Sequence, residues 1–321
     1  MLLHPCFMNN SRNVIIDTDP GQDDAVAILL ALASPEVNIL GITAVAGNVP
    51  LTLIHKNIRK VCELAGKSDT KVFAGSEKPM KRMLFTAEYV HGETGLNGTP
   101  LPEPTMPLQE QNAVDYIVET ILQSPENTVT LCTLGPLTNI GKALEQAPEI
   151  APRIKEMVMM GGGLFEGGNV TPAAEFNIYV DPDAAKLVFD SGIPIVVMPL
   201  DVTHKALTTN VRIEAFRALG NRVGRVAADW LDFFERFDED KYGTDGGPLH
   251  DPNVIAYLIN PNLYSGKRIN VEIETESELT MGMTVADYWG VTDKPENALW
   301  MTELDVDGFY QLILDRFALF E

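Results

Sequence analysis

The sequence is poor in positive charge. It has 24 lysine and arginine residues against 45 aspartate and glutamate residues, which gives a formal net charge of −21 at pH 7. A nucleic acid or an anionic membrane would meet no counter-charged face on such a protein, so we expect neither as a partner. The same charge disfavours phosphorylated substrates to a smaller degree.

Cysteine and long apolar runs are also scarce. Cys6, Cys62 and Cys132 are odd in number and form no Cys-x-x-Cys pair, which predicts reduced thiols in a cytoplasmic protein. No apolar stretch approaches the length of a membrane span. Residues 1–10 are mildly apolar but too short and interrupted for a signal peptide.

Short apolar runs, many of them rich in β-branched residues, alternate with helical segments along most of the chain. We predict strands at Val14–Ile16, Val37–Val45, Lys71–Ala74, Thr128–Leu134, Glu156–Met160 and Ile193–Met198, and in the last third at Ile269–Thr275, Leu279–Asp287 and Leu299–Leu304. A polar loop is expected over Asp238–Leu249. Strands that alternate with helices predict an α/β fold with a mostly parallel central sheet and helices on both faces.

Four aspartates lie at the turn between the first predicted strand and the helix that follows it. They are Asp17, Asp19, Asp23 and Asp24. Capping and the helix dipole account for one or two acids at a helix N-terminus, but not for four within eight residues. Crowded carboxylates raise one another's pKa and are relieved by a cation. Because all-oxygen ligands suit hard ions, the turn predicts a site for Ca²⁺ or Mg²⁺.

Further polar or glycine-rich segments follow the other predicted strands, where ligands bind in parallel α/β sheets. Taken singly, each has a plain structural interpretation. Glu175-Phe176-Asn177 fits an extended segment with a surface pair, and Asp251 fits the N-cap of a helix that begins with Pro252. His91 and His204 are more typical of structural or solvent-facing histidines.

Three familiar motifs do not fit. The glycines of residues 161–168 lack the spacing of a dinucleotide fingerprint and the lysine of a P-loop. The first turn is not an EF-hand, because Ile28 stands where the loop needs its last acidic ligand. Asp17 and Asp19 resemble the opening of aspartyl-phosphate hydrolases only superficially, since no convincing later lysine and acidic pair follows.

Taken together, these segments resemble the nucleoside hydrolases, the inosine–uridine type in particular. The resemblance is carried by DTDPGQDDAVAILLA at 17–31, AVAGNV at 44–49, LGPLTNI at 134–140, MGGG at 160–163, GN at 168–169, AEFN at 174–177, HDP at 250–252 and MGMTVADY at 281–288. The aspartate cluster is highly specific, and the others are strong in combination.

The resemblance implies a Rossmann-like α/β fold and a calcium-dependent enzyme that hydrolyses the N-glycosidic bond of ribonucleosides to free base and ribose. We expect one domain over residues 1–321, with residues 1–12 as a frayed N-terminal extension. We also expect a cytoplasmic homodimer or homotetramer in nucleoside salvage or catabolism.

The resemblance also implies the site residues. The calcium ligands would be Asp19, Asp24, the carbonyl of Leu134 and Asp251. The ribose hydroxyls would be held by Asp23, Asn48, Asn169, Glu175, Asn177 and Asp251, with Phe176 packed against the sugar or base. Asp19 would be the general base, with His250 as the first and His91 as the second candidate for protonating the leaving base. Asp17 would support the loop.

Two questions stay open at this stage. His250 favours a broad inosine–uridine or a pyrimidine preference, but the segments expected around the base differ from the family pattern. The alternative function is a non-catalytic, calcium-dependent nucleoside-binding protein, which could lose its proton-transfer groups. Asp19 and His250 are both present, and product formation would separate the two functions.

Overall fold

The computed structural model describes residues 11–242 and 246–321, with only the backbone for residues 235–242. The strands are β1 Arg12–Thr18, β2 Val37–Ala44, β3 Val72–Ala74, β4 Val129–Thr133, β5 Glu156–Met160, β6 Ile195–Met198, β7 Leu207–Thr208, β8 Gly247–Pro248, β9 Tyr264–Ile273, β10 Thr284–Asp287 and β11 Ala298–Leu304. The helices are α1 Gln22–Leu32, α2 Leu51–Leu64, α3 Glu88–His91, α4 Ala113–Gln123, α5 Thr138–Gln146, α6 Phe176–Val180, α7 Pro182–Asp190, α8 Leu200–Thr203, α9 Asn210–Ala218, α10 Arg222–Tyr242, α11 Pro252–Ile259 and α12 Val306–Phe317.

Within these residues, nine strands form one sheet in the order β10-β9-β11-β6-β5-β4-β1-β2-β3. Neighbouring strands pair in parallel across the sheet from β3 at one edge to β11. Beyond β11, strand β9 pairs antiparallel with β11, and β10 pairs antiparallel with β9 at the other edge. Strand β1 lies between β2 and β4, so the chain runs outward to β3 and then returns to the other side of β1. Such a switch of direction opens a crevice at the carboxyl ends of the strands.

Helices cover both faces of the sheet, as the sequence predicts. Val14 and Ile16 of β1 are buried in a core shared with α1, α2, α10, α11 and α12, whereas Ile15 points to the opposite core with α4, α5 and α7. A central strand that is buried on both faces needs an uninterrupted apolar run rather than alternation. The sequence Val14–Ile16 meets that requirement.

Several predicted boundaries are wrong. The predicted strand Leu279–Asp287 is a strand only from Thr284, because Gly282 turns the chain with a φ of 79°. Helix α10 continues to Tyr242 through part of the predicted loop Asp238–Leu249, since no glycine or proline stops it before residue 243.

The expected N-terminal extension, residues 1–12, lies outside the described residues apart from its last two. Arg12 already belongs to β1, pairs with β2 and forms a salt bridge with Glu156 at 2.5 Å. Cys62 and Cys132 are buried free thiols, whereas Cys6 is not among the described residues. No helix in the described part of the chain is long and apolar enough to cross a membrane.

Candidate active site

A cavity opens at the carboxyl ends of β1, β4 and β5, where the sheet changes direction. It encloses about 640 Å³ of empty space, part of it open to solvent, which is within the range of small-molecule sites. It is lined by Asp23, Asn48, Ala87, Tyr89, Val90, His91, Leu134, Met160, Asn169, Val170, Glu175, Phe176, Asn177, Phe234, His250 and Asp251. Every predicted site residue except Asp19 and Asp24 therefore lines one cavity. Those two contact residues of the lining: Asp24 lies with Asp23 and Asp251, and Asp19 accepts from the Asn48 backbone amide.

Three carboxylates meet at the floor of the cavity. Oxygen atoms of Asp23, Asp24 and Asp251 lie within 4.8 Å of one another, and all three side chains are buried. Asp251 occupies the N-cap position of α11, but its side chain makes no capping hydrogen bond. The interpretation of Asp251 as a simple helix cap is therefore wrong, because the carboxylate is turned toward the first turn of α1 instead.

Burial makes this cluster unfavourable as a set of free anions. Burial, together with the mutual repulsion of the acids, raises the pKa of Asp23 to about 7 and that of Asp251 well above its ordinary value. Among the described residues, Asp19 Oδ1 is also buried without a hydrogen-bond partner. A cation would relieve the repulsion and satisfy the unpaired oxygen, so the donor set fits a hard metal ion.

The turn after β1 is held by hydrogen bonds that fix each carboxylate. Asp24 accepts from the Thr18 hydroxyl at 2.5 Å and from the Gly21 amide at 3.0 Å, while Asp19 accepts from the Asn48 amide at 2.8 Å. A side chain at Gly47 or Gly135 would collide with the Asp19 carboxylate, so both positions need glycine.

Asp17 has a different role from its neighbours. Its carboxylate accepts from the Thr43 hydroxyl at 2.6 Å and from Asn139 Nδ2 at 2.8 Å, and it lines no part of the cavity. Burial raises its pKa to about 7. Asp17 thus joins β1 to β2 and α5 and supports the loop.

The side of the cavity near β5 is built around the start of α6. The prediction of an extended segment over Glu175-Phe176-Asn177 is wrong after its first residue, because α6 begins at Phe176. Glu175 has an extended backbone and is the N-cap of α6, and its carboxylate accepts from the amides of Asn177 at 2.9 Å and Ile178 at 3.3 Å. The same carboxylate accepts from Gly162 at 2.9 Å. These bonds hold the acid rigidly although burial raises its pKa to about 7.

Two amides complete this side. Asn177 Nδ2 donates to the Leu134 carbonyl at 2.7 Å, so the predicted carbonyl ligand and the predicted ribose contact are adjacent. Asn169 Oδ1 accepts from the Phe176 amide at 2.9 Å and holds the start of α6 against the glycine-rich loop.

The opposite end of the cavity carries two histidines and an aromatic ring. His250 follows the short β7–β8 pair, and its Nδ1 lies 2.8 Å from the Thr203 hydroxyl. His91 ends α3, and its ring stacks on Phe234 with centroids 5.5 Å apart and an interplanar angle of 19°. Burial lowers the pKa of both histidines, that of His91 to about 3. His204 is not in the cavity lining; its Nδ1 lies 3.1 Å from Glu166.

Sequence reasoning missed three residues of this end. Phe234 belongs to an aromatic stripe on α10 that is typical of core packing, and Thr203 lies in no motif. Gln22 lies within the motif at 17–31 but was given no role. The only available signal for Gln22 was its position inside the aspartate-rich turn.

Residues 14–311 match the family model for inosine-uridine preferring nucleoside hydrolases. An uncharacterized protein of Schizosaccharomyces pombe is 53% identical over 303 residues, which cover 94% of this chain and 98% of that protein. The pyrimidine-specific ribonucleoside hydrolase of Shigella boydii is 46% identical over 304 residues, covering 94% of this chain and 97% of the relative.

Solved structures agree with the sequence relatives. The purine-preferring ribonucleoside hydrolase from Gardnerella vaginalis superposes with a TM-score of 0.89 at 32% identity, covering 96% of this chain and 98% of the other. A plant nucleoside hydrolase has the same TM-score of 0.89 at 30% identity, covering 96% and 99%. The α/β Rossmann-like fold is thereby confirmed.

The chain therefore belongs to the nucleoside hydrolase family, as its motifs predict. It is a hydrolase that acts on the N-glycosyl bonds of ribonucleosides.

Proposed function

We propose that this protein is a calcium-dependent ribonucleoside hydrolase with a preference for pyrimidine ribonucleosides. The observation that carries the proposal is the single cavity in which buried carboxylates, amide side chains and two histidines lie together. The pyrimidine preference is supported by several relatives of 45–47% identity that are named pyrimidine-specific.

The metal would be held by Asp19, Asp24, Asp251 and the Leu134 carbonyl, with Asp23 next to them. Asp24 and Asp251 belong to the carboxylate cluster, and Asp19 offers the unpaired Oδ1. When bound, calcium supplies positive charge that neutralises the carboxylates, orients hydroxyl groups and makes water more acidic.

The chain's own groups suit cleavage of an N-glycosidic bond. Positive charge develops on the ribose in an oxocarbenium-like transition state, and the buried acids around the sugar stabilise it. Asp19 would accept the proton of the attacking water, with its carboxylate held in place at Oδ2 by the Asn48 backbone amide. Asn48, Asn169, Glu175 and Asn177 would fix the sugar, and Phe176 would pack against it.

His250 would assist the leaving base. His250 Nδ1 lies 2.8 Å from the buried Thr203 hydroxyl, which can donate a hydrogen bond to it. In the tautomer in which Nδ1 accepts this bond, the proton of the neutral imidazole sits on Nε2. In that tautomer His250 can donate to the base, as general acid assistance requires.

Release of free base from a panel of ribonucleosides tests the proposal. Uridine and cytidine should be hydrolysed faster than inosine and adenosine, and no product should form in the absence of divalent metal. If nucleosides bind with calcium but no base is released, the protein is the non-catalytic nucleoside-binding protein instead. A cytoplasmic homodimer or homotetramer in nucleoside salvage remains part of the proposal, and sedimentation of the purified protein tests the assembly.

A further inference from the structure

The side chain of Gln22 connects the aspartate turn to the base end of the cavity. Gln22 is fully buried at the start of α1, beside Asp23. Its Nε2 lies 3.0 Å from the backbone carbonyl of His91 and 3.0 Å from that of Asn97. Its Oε1 lies 2.7 Å from His91 Nδ1.

These contacts determine the direction of the Gln22 amide. Backbone carbonyls only accept hydrogen bonds, so the Gln22 atom that contacts both of them must be the NH₂ group. The atom next to His91 is then the amide oxygen, which also only accepts. The proton in this hydrogen bond must therefore belong to His91 Nδ1.

A neutral imidazole carries one proton, so protonation at Nδ1 leaves Nε2 with a free lone pair. The ring is neutral because burial lowers its pKa to about 3. Its Nδ1 edge faces Gly21 and Gln22, and its face packs on Phe234. The ring lines the cavity, and Nε2 makes no hydrogen bond to any side chain that the structure describes, so Nε2 is the nitrogen left to meet a ligand.

We propose that Gln22 holds His91 as a hydrogen-bond acceptor for an N–H group of a pyrimidine base, the ring N–H of uracil or the amino group of cytosine. The inference rests on the proposed function and deepens it. In the proposed reaction His250 donates to the base, whereas His91 accepts from it. Gln22 is then a positioning residue for base selection, and leaving-group assistance falls to His250 rather than His91.

The position of the protons can be measured directly in the wild-type protein. In a sample labelled with ¹⁵N-histidine, the His91 signals, assigned by their loss in His91→Gln, should show a protonated Nδ1 and an unprotonated Nε2. A proton on Nε2 would overturn the proposal, even if the Gln22 variants do not fold.

Base selection gives the second readout. In 3-methyluridine a methyl group replaces the ring N–H proton of uridine, so this competitive ligand cannot donate the proposed hydrogen bond. Wild type should bind uridine at least about tenfold better than 3-methyluridine, the value of one hydrogen bond. In Gln22→Met, whose thioether is only a weak acceptor for Nδ1, this ratio should fall toward one, whereas Gln22→Glu keeps a strong acceptor and should keep the ratio.

The ratio of the two affinities is measured within each variant. A general loss of metal or stability weakens the binding of both ligands and so leaves their ratio unchanged. An unchanged ratio in Gln22→Met would refute the role of Gln22. Failure of the wild type to cleave any riboside, p-nitrophenyl riboside included, would instead refute the proposed function, so the two failures are distinguishable.

Discussion

The metal-free protein should lose stability as the pH rises from about 4 to about 7.5. Asp17, Asp23 and Glu175 have ordinary pKa values of 3.8, 3.8 and 4.5, and burial raises all three to about 7. The folded protein therefore holds protons that the unfolded chain releases, and the free energy of unfolding falls with pH between those values. Above the folded-state pKa values the proton-linked stability is fully lost.

The size of the effect follows from the shifts. One carboxylate moved by about three pKa units corresponds to about 4 kcal/mol if it titrates alone. Because the acids of the turn interact, their contributions do not add, and we expect a total loss of at least about 4 kcal/mol.

Urea unfolding of the metal-free protein at a series of pH values measures this effect. Asp17→Asn, which removes an acid that lies away from the cavity, should reduce the slope, and calcium at pH 7.5 should restore most of the stability. A metal-free protein with pH-independent stability, or one that calcium does not stabilise, would refute the electrostatic account of the cluster.

Three further predictions concern the reaction. Asp24→Ala and Asp251→Ala should bind calcium poorly by titration calorimetry, and wild-type affinity in both would exclude them as ligands. 2′-Deoxyuridine should be cleaved about 10⁴-fold less efficiently than uridine, because the groups for the missing hydroxyl stay unpaired, and equal kcat/KM values would contradict this. His250→Ala should slow uridine cleavage by about 10²–10⁴-fold but should leave cleavage of p-nitrophenyl riboside unchanged, because that leaving group needs no proton. Asp19→Ala should slow the cleavage of both substrates. Equal losses on both substrates for His250→Ala would exclude His250 as the general acid.

The aspartate turn could be predicted from sequence because its chemistry is local. A β-branched run, a proline and glycine, and four acids within eight residues specify both the turn and its crowding. The alternation of strands and helices likewise predicted the layers of the fold, since each element must bury one face.

Contacts between distant residues could not be predicted in the same way. Asp251 reads locally as a helix cap, and only the packing of α11 against α1 turns its carboxylate toward Asp24. The start of α6 at Phe176 was missed because glutamate is not among the favoured N-cap residues, although here the Glu175 carboxylate caps this helix. The hydrogen bonds of Gln22 join residues 69 and 75 positions apart, so no local pattern reveals them.

The most direct test of the proposed function is the hydrolysis of uridine by metal-free protein before and after calcium is added. Uracil and free ribose should appear in equal amounts only after calcium is added, and chelation should stop their formation again. Uridine hydrolysis at the same rate in the metal-free protein, or no hydrolysis with calcium bound, would contradict the account.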